Sequence, residues 1–325
     1  MIGTDKDSLL ISILVGKGGD VVSGEEMAQT LGISRVALHK RVEHLKAWGI
    51  PIRSIPRKGY VLEEMPDLLI PPIYLAFLKS RQMGRPYHYL EKAESTNRIA
   101  KDLAHQGAPH GTLVVAEGQT RGRGRLGRSW FSPKGENIYL SLILRPNISV
   151  MEVPQLTFLV SVALTQVIRE KLQLDALIKW PNDVYIKGRK VAGILMEMEI
   201  RERQPLFLVA GVGLNVNTPD DGFPPEISTR ATSLMVEGKQ RYLRSQLLAW
   251  IMKALEARYE KFQINQREDI LRYWREHNFT LGKSVKLQGG REGWAIGVTP
   301  QGALLVRRPG GSILSLGAGD VEVVE

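Results

Sequence analysis

The chain has 325 residues, 43% apolar and 24% charged, which excludes a disordered or collagen-like polymer and leaves room for two or three globular domains. It has no cysteine, which excludes disulfide frameworks, thiolate metal sites and thiol nucleophiles, and its six histidines contain no HExxH pair, so no protein-held metal is expected. A formal charge of +10 favours anionic partners such as nucleic acid or phosphorylated ligands.

No basic stretch leads into an apolar core near the first residues, and no uninterrupted apolar run reaches the roughly 18 residues of a membrane span. A cytoplasmic protein with no membrane partner is expected. Residues 9–15, LLISILV, read as a short buried helix. SGEEMAQTLG opens a second, with Ser23 and Glu26 at capping-box spacing and Gly32 as its stop. Ser34 then caps a third helix, whose Leu38, Val42 and Leu45 form one apolar face. IPIRSI and GYVLEE are strand-like runs joined by PRKG, a hairpin with a basic tip. Residues 1–65 therefore read as a winged helix-turn-helix domain. Between 34 and 58 the chain sets Arg35, Lys40, Arg41, Lys46, Arg53, Arg57 and Lys58 against Glu43 alone. This asymmetry points to operator DNA. The first turn of the third helix, Arg35 to His39, is expected at base edges, and Ser34, Lys40, Arg41, Arg57 and Lys58 complete the DNA-binding surface. A packing module with a merely solvated basic face is the alternative.

After the linker EEMPDLLIPP a second domain is expected from residue 66 to 277. Its candidate strands are 112–119, 137–144, 176–180, 190–200 and 206–217, with helices near 97–106, 155–171 and 241–262. Strands that follow one another without an intervening helix favour an α+β domain with a mixed sheet. Residues 118–128, GQTRGRGRLGR, place four arginines and four glycines in eleven positions after a strand. Such a loop brings like charges together unless an anion joins them; ATP, pyrophosphate or nucleic acid fits arginine forks and close backbone approach. No GxxxxGK[ST] loop occurs, and GVGLNVN ends a strand without a following helix, so neither a P-loop nor a dinucleotide fingerprint is present. In IKWPNDVYI, Pro181 stops a strand after Lys179, with Asn182 and Asp183 read as a turn. On its own Lys179 is a strand-edge charge, and ESTN at 94–97 is a helix cap.

Taken together, STN at 95, GRGRLGR at 122, WFSP at 130, NIYLS at 137, KWPND at 179, KVAGIL at 190 and GVGLNVN at 211 resemble the biotin protein ligases. The winged helix brings the resemblance to the bifunctional members that also repress the biotin operon. It spans nearly the whole chain, and the arginine–glycine loop and KWPND are its most specific parts; Leu126 departs from it, since the repressor-type loop often carries another arginine there. The resemblance implies three parts: the winged helix, a class II synthetase-like catalytic domain, and an SH3-like small β-barrel over 278–325. It implies that biotin and ATP, with Mg²⁺, give biotinyl-adenylate, and that biotin then passes to a lysine of the biotin carboxyl carrier protein of acetyl-CoA carboxylase. The adenylate would act as corepressor by promoting a homodimer. Ser95, Thr96, Asn97 and Gln119 would bind biotin's ureido ring. Arg123, Gly124 and Arg125, with Gly122, would close over the carboxylate and phosphate, and Lys179 would neutralise the attacking carboxylate. Trp130 would stack on adenine with Lys190 and Asn215 near the nucleotide, Gly193 and Gly213 would admit the ligand, and Asn182 and Asp183 would orient Lys179 or Mg²⁺. A lipoate or octanoate ligase, or a biotin sensor without catalysis, stay open as alternatives.

Overall fold

A computed structural model describes residues 5–324 apart from 203, 288, 289 and 318. The chain divides into two compact units, Met1–Lys79 with Tyr242–Trp250, and Ser80–Arg241 with Ile251–Glu325.

The first unit is built on α1 (Asp5–Gly16), α2 (Gly24–Leu31) and α3 (Arg35–Ala47), followed by the hairpin of β1 (Ile52–Ile55) and β2 (Gly59–Leu62). Ser23 caps α2 by accepting from the Glu25 N–H, and Ser34 caps α3 by accepting from the Ala37 N–H at 3.2 Å. Gly32, left-handed at φ 59°, makes the sharp turn between them. Leu38, Val42 and Leu45 are buried, as their spacing demands. An isolated bridge between Val22 and Tyr60 ties the two-stranded wing to the segment before α2, and only glycine fits at 59, where a Cβ would stand 1.9 Å from the Val22 carbonyl. The linker EEMPDLLIPP carries no helix or strand over residues 63–70, and its last two prolines open α4 (Pro71–Phe77), which packs on α1 with Tyr74 buried. Pro71 and Pro72 sit in its first turn, where a missing N–H costs nothing. Asp67 holds Arg244, through both its Nε and its backbone N–H, so residues 242–250 belong to this unit as well.

The second unit opens with β3 (Tyr87–Leu90), α5 (Thr96–His105), β4 (Leu113–Ala116), β5 (Ile138–Leu144) and α6 (Val153–Leu172). It continues through β6 (Ala176–Lys179), β7 (Asp183–Ile186), β8 (Arg189–Arg201) and β9 (Gln204–Leu214). The seven strands form one sheet in the order β3-β4-β5-β9-β8-β7-β6, with β3 parallel to β4 and the other pairs antiparallel. The sheet is therefore mixed. Every residue of β5 is buried, and α5 packs on β4, β5 and β9 while α6 packs on β6, β7 and β8. Val150–Leu172 is long and apolar enough to cross a membrane, but 67% of that stretch is buried inside the protein. It is the core helix, and Phe158 on it stacks on Trp274 at 4.9 Å. Short helices α7 (Pro225–Ser228) and α8 (Leu234–Gly238) precede α9 (Arg244–Gln263) and α10 (Glu268–Glu276).

The last strands, β10 (Ser284–Leu287), β11 (Glu292–Val298), β12 (Leu304–Arg307), β13 (Ile313–Leu316) and β14 (Val321–Val324), form a small antiparallel sheet ordered β13-β12-β11-β10-β14. Residues 277–280 bind this sheet to the KWPND strand. Ile178 N–H donates to the His277 carbonyl, Phe279 N–H to the Ile178 carbonyl, and Trp180 Nε1–H to the Gly302 carbonyl at 3.0 Å.

Candidate active site

A cavity of about 890 Å³ in the second unit gathers Ser95, Thr96, Asn97, Gln119, Arg123, Gly124, Arg125, Trp130, Lys179, Lys190, Gly193, Gly213 and Asn215. These lie up to 120 residues apart in sequence, and the sheet order explains their meeting: β8 and β9 are central, with Gly193 directly opposite Gly213. That glycine pair makes room for Trp130. A Cβ on Gly213 would stand 2.3 Å from the indole, and one on Gly193 3.0 Å. Lys190 Nζ lies 5.3 Å over the same ring, and the buried Trp130 Nε1–H meets no acceptor among the described residues.

A polar wall stands on the α5 side. Ser95 is the residue before α5, but its hydroxyl does not cap the helix, so this near-buried oxygen is left for the cavity. Gln119 Oε1 accepts from the Thr96 N–H at 2.9 Å, while its amide nitrogen donates to Ser132 Oγ. Asn97 is fixed by Gly211, where a Cβ would fall 2.0 Å from its amide oxygen. Gly122 is obligatory too, since a Cβ there would reach within 2.6 Å of Ser132 Oγ and the Trp130 carbonyl.

The arginine loop is a narrow hairpin: Gly124 N–H donates to the Arg128 carbonyl at 2.7 Å and Trp130 N–H to the Gly122 carbonyl at 2.9 Å. Leu126 and Gly127 turn it with φ of 55° and 74°, so the exposed Leu126 fills a strained turn position. The four arginines are not equivalent. Arg121 pairs with Glu94, Arg128 with Asp320, and Arg125 with Asp320, the Gly319 carbonyl and Asn182 Oδ1. Arg123 lines the cavity and pairs with no carboxylate among the described residues.

Lys179 ends β6, opposite Asp183 at the start of β7. Asp183 thus begins a strand rather than forming a turn, and its carboxylate pairs with Lys190 at 2.7 Å. Asn182 donates to the Ile194 carbonyl and accepts from Arg125. Of the two residues expected to orient Lys179 or Mg²⁺, Asn182 thus holds Arg125, and Asp183 pairs with Lys190 while its charge also acts on Lys179. Lys179 Nζ instead donates to the Tyr185 hydroxyl at 3.4 Å and lies 5.2 Å over its ring. Burial pulls the Lys179 ammonium below the usual lysine range, with Lys190 adding to the shift and Asp183, Asp320 and Glu322 opposing it.

Three family models match: the HTH domain over residues 8–61, the Biotin/lipoate A/B protein ligase family over 89–215, and the biotin protein ligase C terminal domain over 280–324. The chain is 36% identical over 317 residues to the bifunctional ligase/repressor BirA of Bacillus subtilis, covering 97% of each. It belongs to the biotin protein ligase family. The bifunctional ligase/repressor of Escherichia coli is 32% identical over 305 residues, 93% of this chain and 92% of that one. Among solved structures, the biotin protein ligase from Aquifex aeolicus in complex with biotin and ATP matches with a TM-score of 0.63 at 29% identity, covering 73% of this chain and 97% of that chain.

In this ligase the helix-turn-helix carries its cations differently. Arg35, His39, Lys40, Arg57 and Lys58 are exposed, with Arg35 paired to Glu25 at 3.0 Å. Arg41 is engaged internally, 2.5 Å from the buried Asp7, and the exposed Ser34 uses its hydroxyl as the cap of α3. The ligase site also contains residues that sequence reasoning passed over: Tyr185, Phe279, Asp320 and Glu322 all line the cavity. A tyrosine on an alternating strand was a usable signal, since Tyr185 sits half-buried in the cavity wall; Asp320 had none, because its role depends on the small sheet docking beside the loop.

Proposed function

We propose that this chain is a biotin–carrier protein ligase and biotin-operon repressor. Biotin's carboxylate oxygen attacks the α-phosphorus of ATP, pyrophosphate leaves, and the resulting biotinyl-5′-AMP is attacked at its acyl carbon by a lysine amine of biotin carboxyl carrier protein, releasing AMP. The observation that carries this reading is Lys179, a half-buried ammonium with no carboxylate within ion-pair distance among the described residues, in the same cavity as Arg123, which pairs with no carboxylate among them either. Desolvating an unpaired cation is unfavourable, and an arriving anion relieves it. Lys179 neutralises the carboxylate as it nears the triphosphate, and Arg123 and Arg125 take up charge at the α-phosphoryl group.

Ser95, Thr96, Asn97 and Gln119 take the ureido ring, Gly122 and Gly124 let the loop close over the acyl phosphate, and Trp130 with Lys190 and Asn215 takes the adenosine. Asp183 and Asp320 are committed to cations, and no group of three metal-ligating side chains occurs among the described residues. Mg²⁺ would therefore enter on the nucleotide's own phosphates and offset their charge. The hydrogen-bonding wall favours biotin over lipoate, whose dithiolane ring offers no N–H groups. The adenylate, bound, promotes a cytoplasmic homodimer whose paired winged helices meet two half-sites of operator DNA.

Incubation with ATP, Mg²⁺, a carrier domain and either biotin or lipoate, followed by intact-mass measurement of the carrier, tests the enzyme. A gain of one biotinyl group with biotin alone is expected; lipoylation, or no transfer with AMP never formed, overturns the reading. Gel shifts on biotin-operon DNA with and without both substrates test the repressor, and binding indifferent to salt in both states defeats it.

A further inference from the structure

Behind the polar wall, two residues outside the cavity lining determine what the wall presents. Glu197 on β8 accepts from Asn97 Nδ2–H at 2.8 Å through one oxygen and pairs with Lys101 Nζ at 3.1 Å through the other. Ser141 on β5, fully buried, lies 2.6 Å from Asn97 Oδ1 and 2.8 Å from Thr96 Oγ1. Thr96 in turn meets Gln119.

The protons in this chain can be counted. An ionised carboxylate only accepts, so Asn97 must turn its NH₂ to Glu197 and its carbonyl to Ser141. Ser141 has one proton, and Asn97 Oδ1 can only accept, so that proton goes to Asn97. The contact between the two hydroxyls then requires Thr96 to donate to Ser141. Gln119 Oε1 has a second lone pair facing the Thr96 hydroxyl, but at 3.2 Å it is the longer of the two contacts, and the Thr96 proton goes to Ser141 Oγ at 2.8 Å while Gln119 keeps the Thr96 backbone N–H. The Thr96 oxygen is left with an acceptor lone pair at the cavity wall, and Gln119 Nε2 retains one N–H beyond that given to Ser132. A ureido group offers N–H donors and a carbonyl acceptor, the complement of that pair. If the charge on Glu197 is removed, its side chain can donate, Asn97 is free to flip, and Thr96 is free to present a donor instead.

We infer that Glu197 is a positioning residue for the vitamin site, fixing through Asn97 and Ser141 the hydrogen-bond polarity with which Thr96 meets the ureido ring. This rests on the assignment of Thr96, Asn97 and Gln119 to biotin. In the full-length ligase, Glu197→Gln keeps shape and removes charge. Biotin Kd by calorimetry and KM for biotin are expected to rise about ten-fold or more, while kcat at saturating biotin and KM for ATP stay within about two-fold. Ser141→Ala breaks the relay between Asn97 and Thr96, so adding Glu197→Gln to it should cost little further affinity, a non-additivity that a general loss of packing does not produce. Unchanged biotin affinity in Glu197→Gln, or additive losses in the double variant, overturn the inference. Thr96→Val probes the assignment beneath it: biotin affinity unaffected by that change removes the ureido assignment and the inference together, whereas loss in Thr96→Val with none in Glu197→Gln overturns the inference alone.

Discussion

The two units use cations in opposite ways. On α3 and the wing, Lys40, Arg57 and Lys58 stand exposed, where solvent and salt screen each of them and their contributions to binding a polyanion add with little dependence on fine geometry. In the cavity Lys179 is half-buried and its ammonium is penalised by burial, and Arg125 is held by three acceptors from the KWPND turn and the stretch before the last strand. Charge placed there acts over short distances in low dielectric, so its effect depends on position to within a fraction of an ångström. The first arrangement suits a ligand read by its backbone charge; the second suits one bond-making event.

The contrast breaks most sharply at Lys179. Replacing Lys179 or Arg125 with alanine should remove biotin transfer almost entirely, a loss of at least about 3 kcal/mol of transition-state stabilisation. Ligand-free binding of either variant to nonspecific duplex DNA should be unchanged, and wild-type labelling by the Lys179 variant would sink its role. Next in size is Gly213→Ala. Its methyl group displaces the Trp130 indole, an overpacking of about 1–3 kcal/mol that should appear as a higher KM for ATP in steady-state kinetics.

The pH dependence sharpens the same comparison. Because burial lowers the Lys179 pKa, the group loses its proton at lower pH than an ordinary lysine at about 10.4, so the alkaline limb of kcat/KM for adenylation should begin below that value. The unfolded chain then binds more protons than the native one across the interval between the two values. In that window this group makes stability rise with pH, and its contribution is lost as pH falls through the folded value. Chemical denaturation of wild type against Lys179→Met over that interval measures it. The smallest effect belongs to the wing: Arg57→Ala or Lys58→Ala should weaken DNA binding a few-fold and reduce the salt slope by about one each, without altering adenylation.

What the sequence disclosed follows the range of the interactions involved. The helix caps at Ser23 and Ser34, the turn at Gly32 and the basic hairpin are local and stand where they were expected, although Ser23 takes the Glu25 N–H and forms no reciprocal box with Glu26. Residues 71–77 were hidden because prolines that signal a linker also start helices. Strand β7 was hidden because Pro181, Asn182 and Asp183 carry turn chemistry, yet the turn ends at Asn182 and Asp183 already pairs with Gly193. At the site, the arginine loop, Lys179 and the glycines of β8 and β9 were visible as motifs. Their partners were not: Asp320 and Gly319 reach Arg125 from nearly two hundred residues away, and Glu197 reaches Asn97 across one hundred.

The grip on Arg125 has a consequence for how such a ligase is divided or recombined. One of its three acceptors belongs to the KWPND hairpin and two to the stretch leading into the last strand. A chimera that takes its carboxy-terminal sheet from another member of the family takes that member's clasp on the same guanidinium with it. The module boundary near residue 280 is therefore a boundary of folding pattern, and the lining of the cavity straddles it.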